Sequence, residues 1–196
     1  MKGYKLPLFL CVMFLFSSLP IPNTSADSVE ICCESSTADL YLIGTSGGGE
    51  LSPFKTDLMD DAESATVTNS IAQRTEIATW EINPSWTGIY PSSTWEFEIY
   101  YKLENAAGAT INASINIELG GQEYTASIDT QSQFLSTGEG TISIDVEVDS
   151  GSIPASSKVK LTLSATSVTF SLPGSDAALE LLWGSEEYDS KITADL

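Results

Sequence analysis

Strict alternation of apolar and polar residues constrains this chain more than any other feature. Residues 95–103 alternate large apolar side chains with polar or charged neighbours, and residues 111–119, 142–148 and 159–165 repeat the pattern. Successive side chains of a strand point to opposite faces, so each stretch has one apolar and one polar face. The pattern is typical of antiparallel sheets that are covered on one side.

Two such sheets packed face to face would bury both apolar faces. We therefore predict an all-β fold, an antiparallel two-sheet β-sandwich of jelly-roll type with about nine or ten strands. Closure of the sheet on itself is the alternative. Gly120 and Gly121 predict a tight hairpin turn, because glycine accepts positive φ values. One short helix is expected between Asp57 and Ala65, and residues 44–74 are otherwise irregular.

The N-terminus has the features of an export signal. Lys2 and Lys5 precede an apolar run over residues 6–16, and small residues end at Ala26. We predict a signal peptide over residues 1–26, a flexible lead over 27–38 and a single β-sandwich domain over 39–196. The protein is then secreted or lies at the cell surface. No second apolar run has spanning length, so no membrane insertion is expected after cleavage.

The charge and the missing histidine exclude several function classes. The chain has a formal net charge of −19, and all its acidic residues follow Ala26. So acidic a surface repels nucleic acid, which is bound through Lys and Arg on phosphates, and favours solubility and cation binding. The sequence contains no histidine. A Ser-His-Asp triad is therefore impossible, and the commonest transition-metal ligand is absent.

Two adjacent cysteines, Cys32 and Cys33, remain after the predicted cleavage. A bridge between neighbours closes a strained ring and cannot link distant parts of the domain. Three interpretations stay open: two free thiols, disulfides to another chain, or a vicinal bridge that forms a stiff apolar platform for a ligand.

Two polar motifs suggest a metal and a modification. Asp57, Asp60, Asp61 and Glu63 cluster in the irregular segment, and clustered carboxylates suit a structural calcium ion. The alternative is a solvated, acidic helix start. Asn112 opens an Asn-Ala-Ser glycosylation sequon and falls on the polar face of its strand.

Aromatic residues outside the core alternation are candidates for ligand binding. Trp86 and Tyr90 fall in a Pro- and Gly-bearing segment, residues 83–91, that we expect to be a loop. Tyr100 is out of phase with the apolar face and should point outward. A flat ring on a loop can stack on a sugar. The alternative is that Trp86 folds back onto the core.

The order of these features resembles secreted jelly-roll modules of the carbohydrate-binding kind. The resemblance lies in an early strand at residues 40–43, a Trp-bearing strand at 79–82 and a terminal Leu-Trp-Gly-Ser at 182–185, and it spans residues 39–196. It implies glycan binding on loops or on one sheet face, together with a structural calcium ion. For this chain, it assigns glycan binding to Trp86 and Tyr90.

The sequence as a whole predicts a secreted, non-catalytic binding module, with a polysaccharide or a surface protein as its partner. A structural subunit of an extracellular filament or coat is one alternative. The other is a carboxylate-based enzyme acting on polysaccharide, because Asp145, Glu147 and Asp149 share one strand face at spacings compatible with glycoside hydrolysis.

Overall fold

The computed structural model describes residues 28–31, 36–67, 75–82, 85–128, 134–155 and 157–195. The predicted signal peptide, Cys32 and Cys33 lie outside these ranges. Within them, all regular structure is β-strand except one turn of 3-10 helix at Lys55–Asp57. The predicted all-β class is therefore confirmed. No helix in these ranges is long and apolar enough to cross a bilayer.

The described residues form thirteen strands, more than the nine or ten expected, because the alternation pattern does not reveal the short ones. They are β1 (Ser28–Ile31), β2 (Thr37–Thr45), β3 (Gly48–Ser52), β4 (Glu63–Val67), β5 (Thr75–Ile82), β6 (Ser85–Tyr90), β7 (Ser93–Leu119), β8 (Gln122–Ser127), β9 (Phe134–Val148), β10 (Gly151–Ile153), β11 (Val159–Ser171), β12 (Ala178–Trp183) and β13 (Lys191–Asp195).

Ten strands join into one hydrogen-bonded sheet, in the order β11-β5-β3-β2-β13-β7-β12-β4, with β8 and β9 also paired to β7. Because β11 pairs with β7 as well as with β5, six of these strands close into a ring. All pairings in this sheet are antiparallel except that of β3 with β5. The predicted division into two sandwich sheets stays a prediction, since hydrogen bonds connect these ten strands continuously.

Strand β7 holds this sheet together. Its first part pairs with β12 and β13, its second part pairs with β8 and β11, and β9 pairs with both parts. The register with β9 shifts between Leu103 and Gly108, where Asn105 has a positive φ of 54°. Such an irregularity bends a strand. The bend lets one continuous strand serve two groups of neighbours while its apolar side chains stay in the core.

A second sheet of three strands, β1-β6-β10, has β6 at its centre. Strand β1 pairs with β6 in parallel and β10 pairs with it antiparallel. Residues 28–31, which the sequence assigns to a flexible lead, thus form a paired strand. Residues 85–90, expected to be a loop, form β6.

Large aromatic side chains fill the core. Trp80, Trp95 and Trp183 are almost completely buried. The Trp80 and Trp183 rings meet edge to face, with centroids 5.4 Å apart, an arrangement that aromatic quadrupoles favour. The core rows come from the alternating residues of β7, β9 and β11, as the sequence pattern predicts.

The segment of residues 44–74 differs from its prediction. No α-helix forms between Asp57 and Ala65; that stretch contains the end of the 3-10 turn and then β4, which pairs with β12. A strand therefore stands where the sequence predicted a helix and irregular chain. The helix prediction was wrong because the residues alternate over Glu63–Val67, and pairing with β12 outweighs local helix propensity.

A buried hydroxyl connects three strands at the start of β13. Ser190 is fully buried, and its Oγ donates to the Leu182 carbonyl at 2.7 Å and accepts from the Tyr100 amide at 3.0 Å. Removing a partner from a buried polar group costs about 1–3 kcal/mol for each group left unsatisfied. We expect Ser190→Ala to lower the free energy of unfolding by about 2–6 kcal/mol, on the same principle applied twice.

Urea unfolding followed by tryptophan fluorescence measures this difference. Ser167→Ala is the matched control, because Ser167 is a partly exposed serine in β11. Equal stability of the two variants would contradict the assigned role of Ser190.

Candidate active site: a polar groove across four strands

A cavity of about 240 Å³ lies on the polar face of β5, β7, β8 and β11. We call it the polar groove. Its lining consists entirely of polar and charged residues: Glu76, Asn116, Glu118, Glu123, Lys160, Thr162 and Ser164.

Strand register places three charged groove residues side by side. Lys160 of β11 lies opposite Glu118 of β7, and Glu118 lies opposite Glu123 of β8. The β7–β8 connection is the Gly120–Gly121 turn, where both glycines have positive φ (61° and 89°), as predicted. Side chains directly opposite on neighbouring strands have Cβ atoms about 4.5–5.5 Å apart. The result is a row of ammonium, carboxylate and carboxylate across the groove.

Hydrogen bonds hold the neighbouring groove side chains. The Thr79 hydroxyl donates to Glu76 Oε1 at 2.9 Å and lies 3.2 Å from the Thr162 hydroxyl. Asn116 Nδ2 donates to Glu123 Oε2 at 3.4 Å. These contacts fix one oxygen each of Glu76 and Glu123 and leave their other oxygens available to a bound molecule.

The groove lysine forms no ion pair in the described part of the chain. The four ion pairs found there use Lys55, Lys102, Lys158 and Lys191, so Lys160 is not among them. Ser164 is only 5% exposed and lines the same groove. The Lys160 ammonium can bind a molecule in the groove.

The aromatic binding surface predicted from the sequence is corrected by the structure. Trp86 and Tyr90 lie on strand β6 with 2% and 0% of their surface exposed. A ring so buried cannot stack on a sugar. The alternative, that Trp86 packs on the core, is what the structure has. The physical reason is that β6 alternates Trp86 and Tyr90 into the core while Ile89, 72% exposed, points outward.

Tyr90 instead takes part in a hydrogen-bond network that runs from the core to the surface. Its hydroxyl lies 3.1 Å from the hydroxyl of Tyr124, which also contacts Gln122 Oε1 at 2.7 Å and the Asp149 carbonyl at 3.1 Å. Burial and the hydrogen bond to Tyr124 raise the pKa of Tyr90 well above its usual value. Tyr90 therefore stays neutral, and its contact with Tyr124 links the small sheet to β8.

Tyr100 lies on the sheet surface, as its phase predicts, and is partly covered by other side chains. Its ring packs edge-on against Tyr188 at 5.7 Å, and its hydroxyl donates to Asp189 Oδ1 at 3.4 Å. Lys55 Nζ forms an ion pair with Asp189 Oδ2 at 2.7 Å. Burial, then the nearby Asp189 carboxylate, raise the pKa of Tyr100. A ligand-binding role for Tyr100 stays a prediction.

The carboxylates predicted to bind calcium are not assembled into a metal site. No group of three or more such ligands comes together in the described residues. The Asp57 side chain accepts a hydrogen bond from Ser52, and Asp60 and Asp61 are exposed. Glu63 begins β4 opposite Trp183. The structure therefore gives the four residues separate surroundings.

Two further sequence predictions concern polar residues on strands: the glycosylation sequon at Asn112 and the carboxylates of Asp145, Glu147 and Asp149. Asn112 is partly exposed on β7, with its carbonyl accepting from Thr166 Oγ1 at 3.3 Å, so the sequon stays a prediction. Asp145 and Glu147 of β9 are exposed, as is Asp149 just beyond the strand, and Glu147 accepts from Thr94 at 3.0 Å. The polar groove, which lies elsewhere, was not predicted as a site.

The fold of this chain is similar to that of known hydrolases. Two solved structures of a CocE/NonD family hydrolase from Staphylococcus aureus superpose with TM-scores of 0.55 and 0.53, each at 10% sequence identity. The alignments cover 82% and 91% of this chain. This chain spans 36% and 38% of the length of those hydrolase chains. No protein-family model and no curated protein sequence matches the chain.

This similarity corrects the functional predictions made from the sequence. The chain was expected to be a non-catalytic binding module and not an enzyme, whereas the two solved structures that superpose on it are of a hydrolase. At 10% identity the likeness itself concerns the fold alone, so the activity of this chain is a matter for proposal.

Proposed function

We propose that this chain is a domain of a hydrolytic enzyme and that the polar groove is its reaction site. The observation that carries the proposal is the fold shared with CocE/NonD family hydrolases over most of this chain. The groove supports it, because its charged row offers the groups that hydrolysis requires.

Without histidine, the water-activating base in this chain must be another residue. Carboxylates act as general bases in many enzymes when they lie within reach of the attacking water. Glu118 sits between Lys160 and Glu123 in the groove. Its carboxylate can take a proton from water, while the Lys160 ammonium stabilises negative charge that develops on the attacked group.

Hydrolysis of chromogenic esters, anilides and glycosides by the purified chain tests this proposal. We expect release of the chromophore in at least one substrate class, at a rate proportional to protein concentration. A Glu118→Gln/Glu123→Gln double variant should be inactive, while Asp145→Gln, a change on an exposed strand face of β9, should behave as the wild type. No activity in any class would contradict the proposal.

A second arrangement is favoured by one specific observation. The chain corresponds to only 36–38% of the similar hydrolase chains, and a catalytic unit outside the residues of this sequence would fill the remainder. In that arrangement this β domain contributes to the reaction by holding the catalytic unit or its substrate in place. A purified chain that hydrolyses no substrate would favour this arrangement over reaction in the groove.

A further inference from the structure

We propose that the small sheet β1-β6-β10 is a lid on the core that opens as one unit, and that the β7–β8 hairpin holds it closed. This inference concerns a conformational change of the protein and goes beyond the reaction proposed for the groove.

The small sheet has little backbone attachment to the rest of the protein. In the described residues its strands pair only with one another, and no backbone hydrogen bond joins them to the ten-stranded sheet. The sheet is held instead by Trp86, Tyr90 and Ile153, which are buried in the core, and by contacts with the β7–β8 hairpin. Units with few hydrogen bonds to their surroundings open at a lower free energy than the whole protein. The small sheet therefore has the attachment of a unit that opens on its own.

Three contacts between the hairpin and the small sheet form what we call the clasp. The Tyr124 hydroxyl, on β8, lies 3.1 Å from the Asp149 carbonyl just before β10. The same hydroxyl lies 3.1 Å from the hydroxyl of Tyr90 on β6. At the hairpin turn, Gly120 lies so close to the Ser152 carbonyl that a Cβ on residue 120 would collide with it. The hairpin thus contacts both the side chains and the backbone of the small sheet.

A glycine on β10 lets the tyrosine contact form. Gly151 is the strand partner of Tyr90, and a Cβ on residue 151 would collide with the Tyr90 phenol. The Tyr90 ring therefore passes over β10 to reach Tyr124. Tyr90 is fully buried, so its hydroxyl pairs with Tyr124 in place of water. This hydrogen bond exists only while the lid is closed.

An unpaired indole lowers the free energy needed to open the lid. The Nε1 of Trp86, on the central strand β6, is buried and has no hydrogen-bond partner in the part of the chain that the structure describes. A buried donor without a partner costs free energy that contact with water would recover. The closed lid is therefore less stable than the apolar burial of its side chains alone would make it.

The clasp also connects the lid to the groove. The hairpin carries Glu118 and Glu123 at opposite positions beside its turn, and both line the groove. Tyr124 follows Glu123 in the strand and so points to the opposite face of the hairpin. The lid thus supports, from the far side, the element that holds these two carboxylates.

Hydrogen exchange of backbone amides in ¹⁵N-labelled protein tests this inference. We expect the amides of β6 and β10 to share one opening free energy and one dependence on low urea concentrations. Both should be smaller than the values for amides of β7 and β9, which open only on global unfolding. If the β6 and β10 amides exchange only with global unfolding, or each with its own opening free energy, the small sheet is not a lid.

Two glycines in one turn give the first matched pair of variants. Gly120→Ala and Gly121→Ala both place alanine at a positive φ, and that strain stays in the turn whether the lid is open or closed. Only Gly120→Ala adds a methyl group against β10, because a Cβ on residue 121 meets nothing within 4 Å. We expect Gly120→Ala to speed exchange in β6 and β10 by about tenfold or more, as overpacking does. Gly121→Ala should leave it unchanged.

Two tyrosines give the second pair. Tyr124→Phe removes the shared hydroxyl of the clasp and leaves the buried Tyr90 hydroxyl without this partner, so exchange in β6 and β10 should rise by about fivefold or more. Tyr188→Phe is the control, since the Tyr188 hydroxyl contacts Glu139 of β9 instead of a clasp residue. Equal exchange rates in the two glycine variants, or in the two tyrosine variants, would overturn the role of the clasp.

Discussion

Replacing Glu118 by glutamine is expected to lower kcat by about 100-fold or more, because positioned acid–base groups contribute about 10²–10⁴-fold to enzymatic rates. The substitution keeps the size of the side chain and removes its ability to take a proton. The KM should change much less, since the other side chains that line the groove remain in place. Steady-state kinetics on whichever substrate the wild-type chain hydrolyses measures both constants.

Glu96→Gln provides the control for this experiment. Glu96 lies on the same strand, is exposed, and pairs with Asp145 away from the groove. It should keep wild-type kinetics, and both variants should keep the wild-type unfolding midpoint. If Glu118→Gln retains activity within a few fold of the wild type, Glu118 is not the base.

Replacing Trp80 by alanine is expected to destabilise the fold by about 3–5 kcal/mol, the range found for large aromatic residues in cores. Trp80 is fully buried, packs edge-on against Trp183, and covers Gly49 so closely that a Cβ there would collide with the indole ring. Its loss leaves a cavity between β5, β3 and β12 that rigid strands cannot close. Urea unfolding measures the change.

A pair of phenylalanine variants separates volume from hydrogen bonding. Trp183 Nε1 donates to the Gly44 carbonyl at 2.7 Å, whereas Trp80 Nε1 has no partner in the described residues. Both substitutions remove the same volume, but only Trp183→Phe removes a hydrogen bond. Trp183→Phe should therefore cost about 1 kcal/mol more than Trp80→Phe. Equal costs would show that packing alone sets the stability at this contact.

Local sequence pattern was sufficient to predict the strands that carry the core. Alternation is a property of each strand by itself, so the apolar rows of β7, β9 and β11 follow from the residues. The segment around Trp86 was wrongly predicted to be a loop because it contains Pro and Gly. Pairing with β1 and β10 makes it a strand. Those partners lie far away in the sequence, and no local pattern reveals them.

The groove residues were likewise only partly predictable from the sequence. The two-residue turn at Gly120 and Gly121 places Glu118 opposite Glu123, so this pair could have been predicted from the hairpin alone. Lys160 joins them through the pairing of β11 with β7, across roughly forty residues of intervening chain. Registers between distant strands depend on tertiary packing and turn geometry, so the third member of the row required the structure.

The central position of β7 has a consequence for how the protein reaches its fold. Strands β8, β9, β11, β12 and β13 all pair with β7 and all follow it in the sequence. Strand β13, at Lys191–Asp195, is also what joins β2 to β7. A chain emerging from the ribosome therefore cannot complete this sheet until its last strand is made. Such non-local pairing slows folding, and this chain must stay unaggregated in the meantime, a task for which its high negative charge is well suited.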